Sequence, residues 1–261
     1  MKYLGTSLDE PQMKKEPRYE PTAAANFQEL TIGNALKWDT LQPSAGKFNF
    51  GPADYVLEFA KKHCMKVRGH TIVWHRQAPD YLKSLDKKAL TEALETHTKK
   101  FMERYGDKIV TLDVCNEVFE DSGESGEFRK DSLWYKALGE DYIELAFQFA
   151  RKANPKVKLY INDFSVEGKN KKSDALYNLA KKLKSKKLLD GVGFQAHFIV
   201  GQVPNGKQKT KAYVENCLEV PPSEADMKQQ VEDYVKVVKI CKALKSCPGI
   251  IVWGVAYPDS W

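Results

Sequence analysis

Short runs rich in Val, Ile and Tyr alternate along the chain with stretches whose apolar residues recur at helical spacing. The runs KYLGTS (2–7), FQELTIGN (27–34), KVRGHTIVW (66–74), KIVTLDVCNE (108–117), VKLYINDF (157–164), DGVGFQAHF (190–198) and GIIVWGVA (249–256) read as strands. Between them lie amphipathic helices. Over 82–105 the stripe is Leu90, Leu94, His97, Phe101 and Tyr105, and Gly106 supplies a stop. Over 132–152 it is Leu138, Tyr142, Leu145 and Phe149. A further long helix follows Pro221-Pro222, opened by Ser223 as N-cap with Asp226 three residues on in capping-box position. Alternation of strand and helix with no repeat, linker or break in composition predicts an α/β fold, a parallel sheet covered by helices, and one domain over 1–261.

An eighth strand would close this pattern into a (β/α)8 barrel. The interval between His197 and Trp253 has room for two βα units of roughly 30 residues each. It reads, however, as a loop (FIVGQVPNG), a helix over 207–217, the stub Leu218-Glu219-Val220, the two prolines and the long helix. Strand seven is therefore expected to be short. Polar residues gather at the C-terminal ends of the other runs: Asn34 and Lys37, then His70, Trp74, His75 and Gln77, then Asn116 and Glu117, Asn162 and Asp163, Gln195 and His197, and Trp253. In a barrel those ends form the rim where active sites are built. His97, on an apolar helix stripe, reads as a core histidine, and Trp134 and His63 as structural.

Composition narrows the classes further. The chain has 261 residues, 42% of them hydrophobic and 29% charged, which excludes disorder. Its net charge of +6 comes from helical stretches such as LAKKLKSKKLL, which read as solvated faces, so neither nucleic acid nor membrane is expected as a partner. No apolar run approaches ~18 residues, and the start MKYLGTSLDEPQMKK lacks a signal-peptide core. Five Cys without a CxxC spacing argue against a zinc site; Cys241 and Cys247 would close a short loop in an oxidising compartment.

The segments TIGNALKWDTLQPSAGKFNFGPADYV (31–56), RGHTIVWHRQAPDYL (68–82), LDVCNEVFED (112–121), YINDF (160–164), GVGFQAHF (191–198) and IIVWGVAYPDSW (250–261) resemble glycoside hydrolase family 10 endo-1,4-β-xylanases, most of all the fungal ones. The resemblance runs nearly end to end and implies a TIM barrel that hydrolyses internal β-1,4 bonds of xylan with retention. That reaction needs two carboxyl groups ~5–5.5 Å apart, one a proton donor near neutral pH and the other an ionised nucleophile. By resemblance Glu117 is the general acid/base, its pKa expected to be kept high by apolar surroundings. Asn116 would contact the sugar 2-OH. Asn34, Lys37, His70, Gln77, Gln195 and His197 would bind hydroxyls, with His197 also orienting the nucleophile. Trp74, Trp253 and Trp261 would stack on sugar rings. The resemblance further implies a monomer without cofactor or metal, secreted, with a Cys241–Cys247 disulfide; Cys64, Cys115 and Cys217 are expected as free buried thiols.

Three departures stand out. The family's nucleophilic Glu lies on strand seven, yet here CLEV leads straight into PPSEAD, and Glu219 is the carboxylate that remains at that point. The family's Glu before Asn34, which binds sugar hydroxyls next to the cleaved bond, is Gly33. The family's last helix would begin after Trp261, so it is expected to be missing. Three readings stay open: a working xylanase, a xylan-binding protein without turnover, and a truncated gene product.

Overall fold

The computed structural model describes residues 2–197 and 223–255. Among the described residues seven parallel strands make one sheet: β1 (Tyr3–Leu8), β2 (Glu29–Ile32), β3 (Lys66–Trp74), β4 (Thr111–Asn116), β5 (Lys158–Asp163), β6 (Gly191–Phe194) and β7 (Gly249–Val252). Their order is β6-β5-β4-β3-β2-β1-β7. From β1 to β6 each strand lies beside the next in sequence, and β7 returns beside β1 (Gly5 pairs with Ile251), as in the (β/α)8 barrel. The strand-seven stub, Glu219, Cys217 and Trp261 lie outside the described residues.

β2 and β4 are buried along their whole length and β3 over Val67–Val73, because helices cover the outer face while side chains fill the inside. The helices are α1 (Glu10–Lys15), α2 (Tyr19–Asn26), α3 (Trp38–Leu41), α4 (Gly51–Lys62), α5 (Lys87–Tyr105), α6 (Leu133–Leu138), α7 (Asp141–Ala153), α8 (Lys171–Ser185) and α9 (Glu224–Ala243), the last opening directly after Ser223. In α5 the expected stripe is the buried one, and Asp86 caps the helix by accepting from the Ala89 N–H at 2.8 Å. His97 is fully buried there, stacked on Trp38 with ring centroids 3.7 Å apart and hydrogen-bonded to Gln42 at 2.7 Å.

Two expectations need correcting. The helix read over 132–152 is two helices, α6 and α7, divided at Gly139, whose φ of +63° is a conformation a side chain would strain. The break rotates the stripe, so α7 buries Tyr142, Ile143, Ala146, Phe147 and Ala150, while Leu145 and Phe149 are only half-buried. Cys64, expected to be buried, is exposed at the end of α4; Cys115 is a buried thiol. Cys241 and Cys247 form the disulfide, tying the end of α9 to the residues before β7.

Candidate active site

At the C-terminal rim of the sheet the backbone leaves ordinary geometry after four strands. Gln77, Glu117, Ser165 and Ala196 follow β3, β4, β5 and β6, and all have positive φ without being glycine. Such conformations cost about 1–3 kcal/mol each and persist only where surrounding contacts over-determine them. The ladders are irregular nearby too: β3–β4 slips between His70 and Val73, and β4–β5 between Asp113 and Cys115.

Glu117 has the most contacts of these. Its φ is +55°, its N–H donates to the Asn162 carbonyl at 2.9 Å, and its carbonyl accepts from Arg129 Nε at 3.3 Å. The side chain turns inward. Oε1 accepts from Asn116 Nδ2 at 3.1 Å and Gln195 Nε2 at 3.0 Å, and Oε2 accepts from Trp74 Nε1 at 2.7 Å. A carboxylate offers about four acceptor sites. Among the described residues three are taken, and the fourth is on Oε2, so a proton carried by this group has its place there. His75 Nδ1 is 3.8 Å from Oε2, too far for a hydrogen bond. Burial first, and then Arg129, push His75 down to about 4 against the pull of Glu117, so it is a neutral neighbour at neutral pH.

The donors on Glu117 are themselves held. Asn162 Nδ2 donates to Asn116 Oδ1 at 2.8 Å, and Gln195 Nε2 reaches the same oxygen at 3.2 Å. His197 Nε2 lies 2.8 Å from Gln195 Oε1, so the ring donates through Nε2 and fixes the direction of that amide. Burial lowers the pKa of His197 although Glu117 opposes it. Trp134 Nε1 donates to the Trp74 carbonyl at 2.9 Å, giving a residue read as structural a supporting position behind the site.

On the opposite side, Lys37 Nζ donates to Asn34 Oδ1 at 2.8 Å and lies 4.8 Å from the centre of the Trp74 ring. Burial lowers its pKa, with Asp9, Asp39 and Glu117 opposing. Gln77 packs on Asp39, whose N–H donates to the Gln77 carbonyl at 3.0 Å. On the barrel floor His70 Nδ1 is 3.0 Å from Asp113 Oδ2, and its ring meets Trp253 edge-on at 5.2 Å. Asp113 also takes a two-point contact from buried Arg68. Burial alone would raise Asp113, but Arg68 and His70 outweigh it and hold the carboxyl below its usual range.

The expected residues Asn34, Lys37, His70, Trp74, Gln77, Asn116, Glu117, Gln195, His197 and Trp253 therefore come together at one end of the sheet. The reading of the sequence missed Asp9 and Arg129 and gave no role to Asn162 or Asp113. Asn162 and Asp9 sit at or just past strand ends and so carried the rim signal; Arg129 reaches in from a loop, where no periodicity marks it. Among the described residues no cluster of His, Cys, Asp or Glu has the form of a metal site.

The model of glycosyl hydrolase family 10 matches residues 1–261. An endo-1,4-β-xylanase of Agaricus bisporus is 36% identical over 276 aligned residues, covering 100% of this chain and 82% of that protein. The solved structure of a glycosylated endo-β-1,4-xylanase from Gloeophyllum trabeum superposes with a TM-score of 0.88 at 36% identity, over 97% of this chain and 84% of that one. Xylanase 10B of Thermotoga petrophila, solved with xylobiose, gives 0.86 at 33% identity, over 97% and 82%. With its rim geometry and a family match over its whole length, the chain belongs to glycosyl hydrolase family 10.

Proposed function

We propose that the protein hydrolyses internal β-1,4-xylosidic bonds of xylan and xylo-oligosaccharides with retention, with Glu117 as general acid/base. The observation that carries this reading is the Glu117 carboxyl, tethered by three N–H donors and, among the described residues, left with one open position on Oε2. A proton on that oxygen points away from all three donors and is available to the glycosidic oxygen. After the leaving group departs, the same oxygen takes a proton from water in the second displacement. The family relationship supports the substrate: the relatives compared above are named xylanases, one of them solved with xylobiose.

Trp74 and Trp253 give flat faces for pyranose rings, and Asn34, Lys37, Gln77, Asn116, Gln195 and His197 give polar contacts to hydroxyls. For the nucleophile that retention requires, the sequence leaves Glu219 as the candidate, and Trp261 as a further sugar platform; both lie outside the described residues. The Cys241–Cys247 disulfide favours an oxidising compartment, in keeping with secretion.

Release of reducing ends from xylan by the purified chain, with Glu117→Gln as control, tests the reading, and NMR of the first-formed anomer tests retention. Release above the control with the β-anomer formed first is expected. Equal, negligible release by both chains would overturn the hydrolytic reading. Calorimetry with xylotriose would then separate a xylan-binding protein from a chain that does not recognise the sugar.

A further inference from the structure

Asp9 stands at the head of α1, in the position where an aspartate ordinarily caps a helix by accepting from its first free N–H groups. Its side chain makes no such bond. The carboxylate instead crosses to the end of β2, where Oδ1 accepts from the Asn34 N–H at 2.6 Å and Oδ2 accepts from Asn34 Nδ2 at 2.7 Å. It is half-buried in doing so. Burial raises its pKa, while the Asn34 hydrogen bonds, Lys37 and a bond from the Ala35 N–H oppose the rise.

The space it enters exists because residue 33 is glycine. A Cβ built on Gly33 would lie 2.5 Å from Asp9 Oδ2 and 2.9 Å from Asp9 Cγ, far inside contact distance. Gly33 does not have a positive φ, so glycine is required there for room and not for backbone freedom. With a side chain at position 33, the Asp9 carboxylate would have to leave its present place beside Asn34.

We propose that Asp9, admitted by Gly33, is the positioning residue that orients Asn34 and Lys37 for the sugar, supplying from the end of β1 the carboxylate that position 33 lacks. The inference rests on the xylan-directed reading above and deepens it. A carboxamide can present either its oxygen or its nitrogen to a ligand. Asp9 removes that choice by taking the Asn34 Nδ2, which turns Oδ1 to Lys37 Nζ. Lys37, so anchored beside Trp74, has further N–H groups for sugar hydroxyls. Because Asp9 acts through Asn34 and Lys37 and not through Glu117, its loss falls on substrate affinity and leaves proton transfer in place.

The test is calorimetry of xylotriose with the full chain and three variants: Asp9→Ala, Gly33→Glu, and Asp9→Ala/Gly33→Glu. Tm is followed for each. Affinity is expected to fall about tenfold in either single variant, the equivalent of one or two neutral hydrogen bonds. It should recover at least partly in the double variant, where the new carboxylate has the room Asp9 vacated. A merely structural role would lower Tm in Asp9→Ala without changing affinity, and would show no recovery in the double variant; either result overturns the proposal. If the native chain itself binds no xylotriose, the xylan-directed reading fails, and this proposal falls with it. Where turnover is measurable, Asp9→Ala should raise KM while kcat and its pH profile stay near native.

Discussion

Trp74 Nε1 donates to Glu117 Oε2 at 2.7 Å, so the indole proposed to face the sugar also orients the carboxyl proposed as general acid/base. The Trp74 main-chain carbonyl accepts from Trp134 Nε1 at 2.9 Å, which holds the backbone that carries the ring. On the proposed reading, one aromatic side chain joins substrate stacking to acid/base geometry.

Trp74→Phe keeps an aromatic face and removes the donor. Hydrolysis should fall about 10- to 100-fold, the equivalent of one hydrogen bond to a charged group, while xylo-oligosaccharide affinity changes much less. Steady-state kinetics beside calorimetry checks this. An equal loss in both would mean that the ring acts only as a platform.

Arg129 ties down the backbone on which Glu117 sits. Its guanidinium donates to the carbonyls of Glu117 and, at 2.9 Å, of Phe119, and pairs with Asp121. Lysine cannot span three acceptors set in a fork. Arg129→Lys should therefore lose tenfold or more in kcat/KM and several degrees in Tm, each buried carbonyl left unpaired costing about 1–3 kcal/mol. Unchanged kinetics with a lower Tm would reduce Arg129 to a stabilising role.

Much of this architecture is legible in the chain because strand and rim obey one rule: a strand ends where its run of apolar residues meets a polar one. β3 spans Lys66–Trp74, the range its pattern predicts, and Glu117, Asn116 and Gln195 all stand at the ends of such runs. The division at Gly139 was hidden because its two flanks share one apolar stripe. Arg129 was hidden because it serves main-chain carbonyls, which every residue carries alike. Asp9 was hidden by its type, since aspartate before a helix suggests a cap and only the packing against Gly33 reveals another use.

The disulfide gives a separate check on stability. Cys241–Cys247 closes a loop of sequence separation 6, for which the chain-entropy contribution is about 2 kcal/mol. The Cys241→Ser/Cys247→Ser variant should melt about 2–4 °C lower with little change in sugar affinity. Intact mass should rise by two hydrogens on reduction of the native chain. No mass change would show that the thiols are free in the purified protein.

Buried histidines give the protein an acid limit that can be assigned to residues. His97 is fully buried and its pKa falls to about 3, because burial disfavours the imidazolium; His75 falls to about 4. In the unfolded chain both ionise near 6.5, so between that pH and the folded values the unfolded state binds protons the native state does not. Their contribution is complete above pH 6.5 and is lost as pH falls through that window. Asp163 has the opposite sign. Burial raises it to about 6 in spite of Lys172 at 2.8 Å, so the native state gains some stability as pH falls from about 6 toward 3.8. Asp9, Glu29 and Glu167, raised by burial, act in the same sense as Asp163. His197, lowered by burial, acts with the other histidines, and the large shifts of His97 and His75 set the balance. Urea unfolding of the native chain should show stability falling between pH 7 and pH 4. His97→Gln, neutral throughout and able to donate to Gln42, should flatten that slope by about 3 kcal/mol over the interval. Parallel curves for the two chains would mean that His97 is protonated in the fold and that burial does not govern it.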